Sequence, residues 1–229
     1  MMNKKPRPQI VQRIEYLKEL CREKTVLHLG CTDWPYTKMR LKLGTLLHIE
    51  LQEIAHELWG FDYDRNGLDL LTQLGLKNLY HVDLERLETV NIKKEFDIVL
   101  AAEIIEHLSN PGLFLSGIQR FMGPHSTLVI TTINAYCGMR MSIYALRGRG
   151  GLAEPVHPDH VAYYSHSTLL HLISRTNLTA RRFLFYDVGQ EHRPYNRFYL
   201  NWINDMCVRI APQLADGLIL ECGLGQLAT

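Results

Sequence analysis

Thr25-Val26-Leu27-His28-Leu29-Gly30-Cys31-Thr32-Asp33 is the stretch whose reading decides the fold. A short, mainly apolar run broken by a glycine predicts a buried strand entering a tight turn. Outward from it the same unit recurs. Strand-like runs are expected at 57–61, ending at Asp62, around 79–82, ending at Asp83, at 96–102 and at 127–132. Between them lie helical patterns at 45–57, 66–75 and 110–122, and apolar residues at Ile10, Val11, Ile14, Leu17 and Leu20 predict an opening helix over 8–23. Strands alternating with helices imply βαβ units, a parallel sheet covered on both faces, and a ligand crevice at the carboxyl ends of the strands.

Beyond residue 134 the pattern changes. Residues 135–163 carry Gly138, Gly148, Gly150, Gly151, Pro155 and Pro158 around a short helical piece near 140–147, and read as a lid or substrate insertion within a single domain spanning 1–229. A helix at 166–176, a strand at 180–187, a helix at 196–210 and a strand at 217–222 complete the pattern.

The chain has 229 residues and a formal net charge of +1, so no global field draws it to nucleic acid, and no nucleic-acid partner is expected. Apolar runs are interrupted by charge well before the ~18 residues of a membrane span. The five cysteines (Cys21, Cys31, Cys137, Cys207, Cys222) are scattered without a CxxC pair, which predicts reduced thiols and a cytoplasmic protein. No apolar segment follows the N-terminal Lys4, Lys5 and Arg7, so no signal peptide is expected. Oligomeric state is left open.

The strand ends carry matched chemistry. A turn of little bulk at Gly30-Cys31-Thr32 admits an amino-acid tail and a sulfonium. A carboxylate at Asp62 can accept two ribose hydroxyls, and one at Asp83 an adenine amino group. Through Val26–Cys31, Gly60-Phe61-Asp62, Val82-Asp83-Leu84-Glu85 and Phe96–Leu108 the sequence resembles class I S-adenosylmethionine-dependent methyltransferases. The resemblance implies a three-layer, Rossmann-like α/β sandwich with a seven-stranded, mostly parallel sheet whose last strand is antiparallel. It implies a cofactor site at His28, Gly30, Cys31, Thr32, Asp62, Tyr63, Asp83, Leu84, Ala102 and Glu103. His28 stands where the family usually has an acidic residue. It can accept a hydrogen bond from the cofactor's ammonium or pack beneath it. A subgroup associated with bacterial surface polysaccharides has a similar His-Leu-Gly-Cys turn, which implies a small-molecule or glycan acceptor. A dinucleotide oxidoreductase would require GxGxxG where Gly30-Cys31-Thr32-Asp33-Trp34-Pro35 stands, and a cofactor-binding subunit without catalysis is the other alternative.

Glu103-Ile104-Ile105-Glu106-His107 is the most chemically loaded segment. On a helical turn, residues 103, 106 and 107 would share a face. The segment is similar to that of metal-dependent methyltransferases acting on small-RNA 2′-hydroxyls or ubiquinone precursors. That resemblance implies Glu103, Glu106, His107 and His160 as ligands of Mg²⁺ or Mn²⁺, with Zn²⁺ less suited to the donors. Without a metal, His107 or His160 becomes the general base. Asn134, Tyr136, Arg140 and Arg147, with Arg149, are candidate acceptor contacts. Tyr195, Tyr199 and Trp202, at helical spacing, are expected to pack the last helix on the sheet.

Overall fold

In the computed structural model, residues 8–147, 159–189, 193–194 and 196–225 are described. The chain runs β1 (Ile10–Val11), α1 (Arg13–Cys21), β2 (Thr25–Leu29), α2 (Thr37–Leu43), α3 (Leu47–Gln52), β3 (Glu57–Asp62), α4 (Arg65–Gln73) and β4 (Leu79–His81). It continues through β5 (Phe96–Ala102), α5 (Pro111–Gly117), β6 (Met122–Ile133), α6 (Gly138–Arg147), α7 (His166–Ile173), β7 (Leu178–Tyr186), α8 (Phe198–Ile210) and β8 (Gly217–Leu224). A 3-10 turn at Ile105–His107 follows β5, and another at Ile118–Phe121 follows α5.

One sheet holds the strands in the order β1-β7-β8-β6-β5-β2-β3-β4. β8 runs antiparallel to both β6 and β7, and the other pairings are parallel. The antiparallel last strand agrees with expectation. The eighth strand is a correction to the expected seven: Ile10 and Val11 leave the opening helix and pair with Phe185 and Tyr186 at the sheet edge. Two β-branched residues against an open edge do better extended than helical. The long first crossover also gains a helix of its own, α2, which ends at Gly44 in the left-handed conformation.

The central strands are apolar on both sides because both faces are covered. Leu27, Leu29, Val99, Ala101, Leu128 and Ile130 point to one face, where Phe114, Leu115, Ile118, Phe121, Leu169 and Ile173 cover them. Val26, Ile98, Leu100 and Val129 point to the other, against Leu17, Cys21 and Leu51 of α1 and α3. Strand alternation thus divides one sequence between two cores. Phe121 is fully buried and meets the ring of Phe61 edge-on at 5.5 Å. Phe121→Ala is expected to lower the unfolding free energy by about 3 to 5 kcal/mol. Urea titration should show this as a lower midpoint at an unchanged slope; a loss below about 1 kcal/mol would show that this aromatic contact does not anchor the core.

Candidate functional site at the carboxyl edge of the sheet

The turn after β2 adopts strained backbone. Gly30 has φ +71° and Asp33 has φ +55°. The Gly30 N–H donates to the Phe61 carbonyl, and a Cβ on Gly30 would stand 2.1 Å from Ile104 Cδ1. Glycine is therefore required by the close approach of the turns after β2 and β5. Asp62, at the end of β3, faces inward: its Oδ2 accepts from the Thr32 N–H at 2.8 Å and the Thr32 hydroxyl at 2.9 Å, and its Oδ1 accepts from the Asp64 N–H at 2.9 Å. The expected ribose carboxylate thus braces the first turn, and its Oδ1 keeps spare acceptor capacity.

His28 is buried beneath this turn. Its Nδ1 lies 3.2 Å from Nδ1 of His48, an equally buried ring stacked at 5.3 Å. Burial holds both imidazoles neutral, and His48 titrates down at about 4. The Cys31 thiol is fully buried, and burial pushes its pKa well up, so it packs as an apolar group against Gly60.

Further along the edge, Asp83 accepts from the Glu85 N–H at 2.9 Å and Leu84 is buried. Tyr63 is exposed, with its ring 5.3 Å from that of His81. An open depression of about 640 Å³ lies here, lined among others by Tyr63, His81, Asp83 and Arg86.

At the end of β5, Ala102 leads to Glu103 at φ +54°, whose N–H donates to the carbonyl and hydroxyl of Thr131. The Glu103 carboxylate takes Arg13 of α1 at 3.1 Å and the hydroxyl of Tyr186 from the end of β7. The Arg13 guanidinium also lies over the Tyr186 ring at 5.6 Å, while burial and then the Glu103 charge raise the Tyr186 phenol well above its usual range. Sequence reasoning missed both partners. Arg13 sits beside the buried stripe of α1, where a charge has to find a counter-charge. Tyr186 carried no signal beyond standing at a strand end.

Three residues on, Glu106 is fully buried, and neither carboxylate oxygen has a well-formed hydrogen bond. Burial, then the Glu103 charge, raises its pKa to about 8, against weaker opposition from neighbouring backbone N–H groups and the Thr132 hydroxyl. Its backbone carbonyl accepts from Val161 and Ala162 at 2.9 and 3.2 Å, which docks the chain after residue 159 onto the turn. His107 and His160 consequently meet, with ring centres 4.6 Å apart and planes nearly perpendicular.

A methyltransferase domain model matches residues 4–182. The chain belongs to the methyltransferase domain family. Its fold is the class I, Rossmann-like methyltransferase fold: a methyltransferase from Archaeoglobus fulgidus superimposes with a TM-score of 0.55 at 17% identity, covering 92% of this chain and 91% of that one. The N-methyltransferase NodS of Bradyrhizobium japonicum, solved with S-adenosyl-L-homocysteine, gives a TM-score of 0.53 at 13% identity over 93% and 85% of the chains. In sequence, a ubiquinone biosynthesis O-methyltransferase of Rhodopseudomonas palustris is 42% identical over 48 residues, which are 21% of this chain and 19% of that protein.

Several expectations for this methyltransferase are corrected by the geometry. Glu103, Glu106, His107 and His160 do not form a ligand set, and among the described residues no group of three or more His, Cys, Asp or Glu side chains is placed to hold a metal ion. At left-handed Glu103 the carboxylate is engaged by Arg13 and Tyr186, while Glu106 and His107 follow on the 3-10 turn. Asn134 is buried: its side-chain amide donates to the carbonyls of Gln213 and Ala215, and its side-chain oxygen accepts from the Tyr136 N–H. Arg140 is held by the Asp216 carboxylate at 2.6 Å and by the Asp216 carbonyl. Both residues fasten the 134–140 connection to the start of β8. Tyr136 remains exposed. The Arg147 side chain, Arg149 and Tyr195 lie outside the described residues.

The buried imidazoles give a pH dependence of known sign. A histidine kept neutral by the fold contributes stability above its unfolded pKa of 6.5 and loses it as pH falls towards about 4. Glu106, with its pKa raised, acts in the opposite sense as pH rises through about 8. Between pH 6.5 and 4 the His48 contribution amounts to a loss on the order of 3 kcal/mol. His48→Leu should visibly flatten the urea midpoint over that interval; a slope equal to the parent's would show that His48 is not held neutral.

Proposed function

We propose that this methyltransferase takes its methyl group from S-adenosylmethionine and delivers it to a hydroxyl of a small-molecule or glycan acceptor. The observation that carries the reading is the polar cluster of Arg13, Glu103 and Tyr186 beside the Gly30 turn, at the sheet edge where ligands of such folds bind. The side chain of Glu103 is 33% exposed, so the cluster reaches the opening. His28 is neutral and its Nδ1 is engaged with His48, so it offers no charge to an amino-acid tail. Arg13 and Glu103 supply both signs instead. Asp62 through its remaining lone pairs, with Asp83 and Tyr63 beyond it, would meet the ribose and adenine, while Gly30, Thr32, Leu84 and Ala102 shape the floor.

The bound sulfonium supplies the methyl group. This chain's residues have to align a hydroxyl with it and remove the proton. His107 and His160, whose rings meet at 4.6 Å, would take that proton, since an imidazole accepts near neutral pH. The docking of Val161 and Ala162 on the Glu106 carbonyl, with Tyr164 bridged to Asn134, supports a 135–163 lid whose end would bring His160 over the edge. The O-methyltransferase names of the short sequence matches support oxygen as the acceptor atom.

Titration calorimetry with S-adenosylmethionine should show binding that weakens at least about tenfold in Glu103→Gln, one lost charge-assisted contact. Absence of binding to the unaltered protein overturns the reading. With acceptors drawn from catechols, phenols and sugars, His107→Ala should lower kcat by about 10²- to 10⁴-fold at unchanged cofactor affinity; an unchanged kcat removes His107 from the chemistry.

A further inference from the structure

α2, α6 and α8 all rise from the carboxyl edge of the sheet: α2 and α6 follow the ends of β2 and β6, and α8 lies between the end of β7 and the start of antiparallel β8. Two of them expose large apolar residues besides the ones they pack inward. A surface helix normally turns its polar residues to water. On α8 the exposed positions include Phe198 (85%), Trp202 (64%) and Ile210 (76%), while Asn204 is fully buried. On α6 they include Met141 (52%) and Leu146 (78%). The expectation that Tyr199 and Trp202 pack the last helix on the sheet is therefore overturned: Tyr199 is 40% exposed, and Trp202 faces out. α6 and α8 adjoin one another, which puts their exposed apolar positions on neighbouring elements of one edge.

Among the described residues, the exposed charges on α2, α6 and α8 are mainly positive. Neither α2 nor α6 contains an acidic residue. Lys38 and Lys42 on α2, and Arg197 and Arg209 at the two ends of α8, are exposed. The acid on the outer side of α8, Asp205, is held by Arg193 at 2.6 Å. In a chain of net charge +1, the exposed charges carried by these helices and their ends among the described residues are therefore predominantly cationic. No helix among the described residues is long and apolar enough to cross a membrane.

We infer that the α2–α6–α8 edge docks on an anionic phospholipid surface, with the apolar stripe of α8 entering the headgroup boundary and the flanking Lys and Arg side chains meeting lipid phosphates. Charge complementarity selects this occupant over a second copy of the chain, because a two-fold contact through the same patch would set cations against their own equivalents. The site described above then opens towards the lipid, and an acceptor anchored there arrives at high local concentration.

The test uses the full chain and sedimentation with vesicles of phosphatidylcholine mixed with phosphatidylglycerol, against pure phosphatidylcholine. Binding is expected to the anionic vesicles, weakened about tenfold by raised salt or by Trp202→Ser. Intrinsic fluorescence gives a second readout that needs no variant. Of the three tryptophans, Trp34 and Trp202 are exposed on this edge, whereas Trp59 is stacked on Tyr80 at 5.1 Å. Lipids brominated in the acyl chains should quench part of the emission in the anionic vesicles alone. Unquenched emission with no co-sedimentation overturns the inference, as does a dimer in analytical ultracentrifugation that Trp202→Ser dissociates.

Discussion

The functional edge depends on one buried carboxylate. Parallel strands run out of ladder partners at their carboxyl ends, and each exit has to satisfy its backbone groups locally. Asp62 does this for two exits at once, taking the N–H and hydroxyl of Thr32 after β2 and the N–H of Asp64 after its own strand. Asp64 in turn caps α4 through the N–H groups of Asn66 and Gly67. Without a carboxylate at position 62 the turn at Gly30 would lose its floor, because three donors would be left without their acceptor.

From that floor the strain at the edge becomes intelligible. Asp33 and Glu103 are two of the four non-glycine residues with positive φ among the described residues, and both follow the ends of β2 and β5. Left-handed backbone in a residue with a Cβ persists only where its surroundings over-determine it. Around Glu103 they do: its N–H is fixed by Thr131 and its carboxylate by Arg13 and Tyr186. Asp33 is fixed by Arg40 at 2.9 Å. The strained positions are thus held from several elements, and they aim polar groups at the opening rather than along a strand.

This explains which parts of the molecule the sequence disclosed. The order of strands, and the acidic residues at strand ends, follow from hydrophobic runs and their punctuation, which are local properties. The antiparallel last strand follows from family resemblance. What Glu103 does was hidden, because a helical reading of 103–107 assumes ordinary backbone at its first residue, and one positive φ redirects the carboxylate. Asn134 and Arg140 looked like acceptor contacts because polar residues in a glycine-rich segment suggest a loop facing solvent. Their partners, Gln213, Ala215 and Asp216, lie more than 70 positions away, a distance no local pattern reveals. Spacing gave the helix of α8 but not its orientation, since apolar periodicity marks a face without saying what covers it.

The two glutamates of the loaded segment end with opposite electrostatic roles. Glu103 has a cation at 3.1 Å, so its charge is compensated within the fold and remains available at the opening. Glu106 is buried with no cation beside it among the described residues, and the Glu103 charge adds to the penalty of ionising it; its pKa of about 8 leaves it mostly protonated at neutral pH. Burial of one carboxyl thus leaves two neighbouring glutamates in opposite states, a compensated charge at Glu103 and a mostly protonated carboxyl at Glu106, three positions apart.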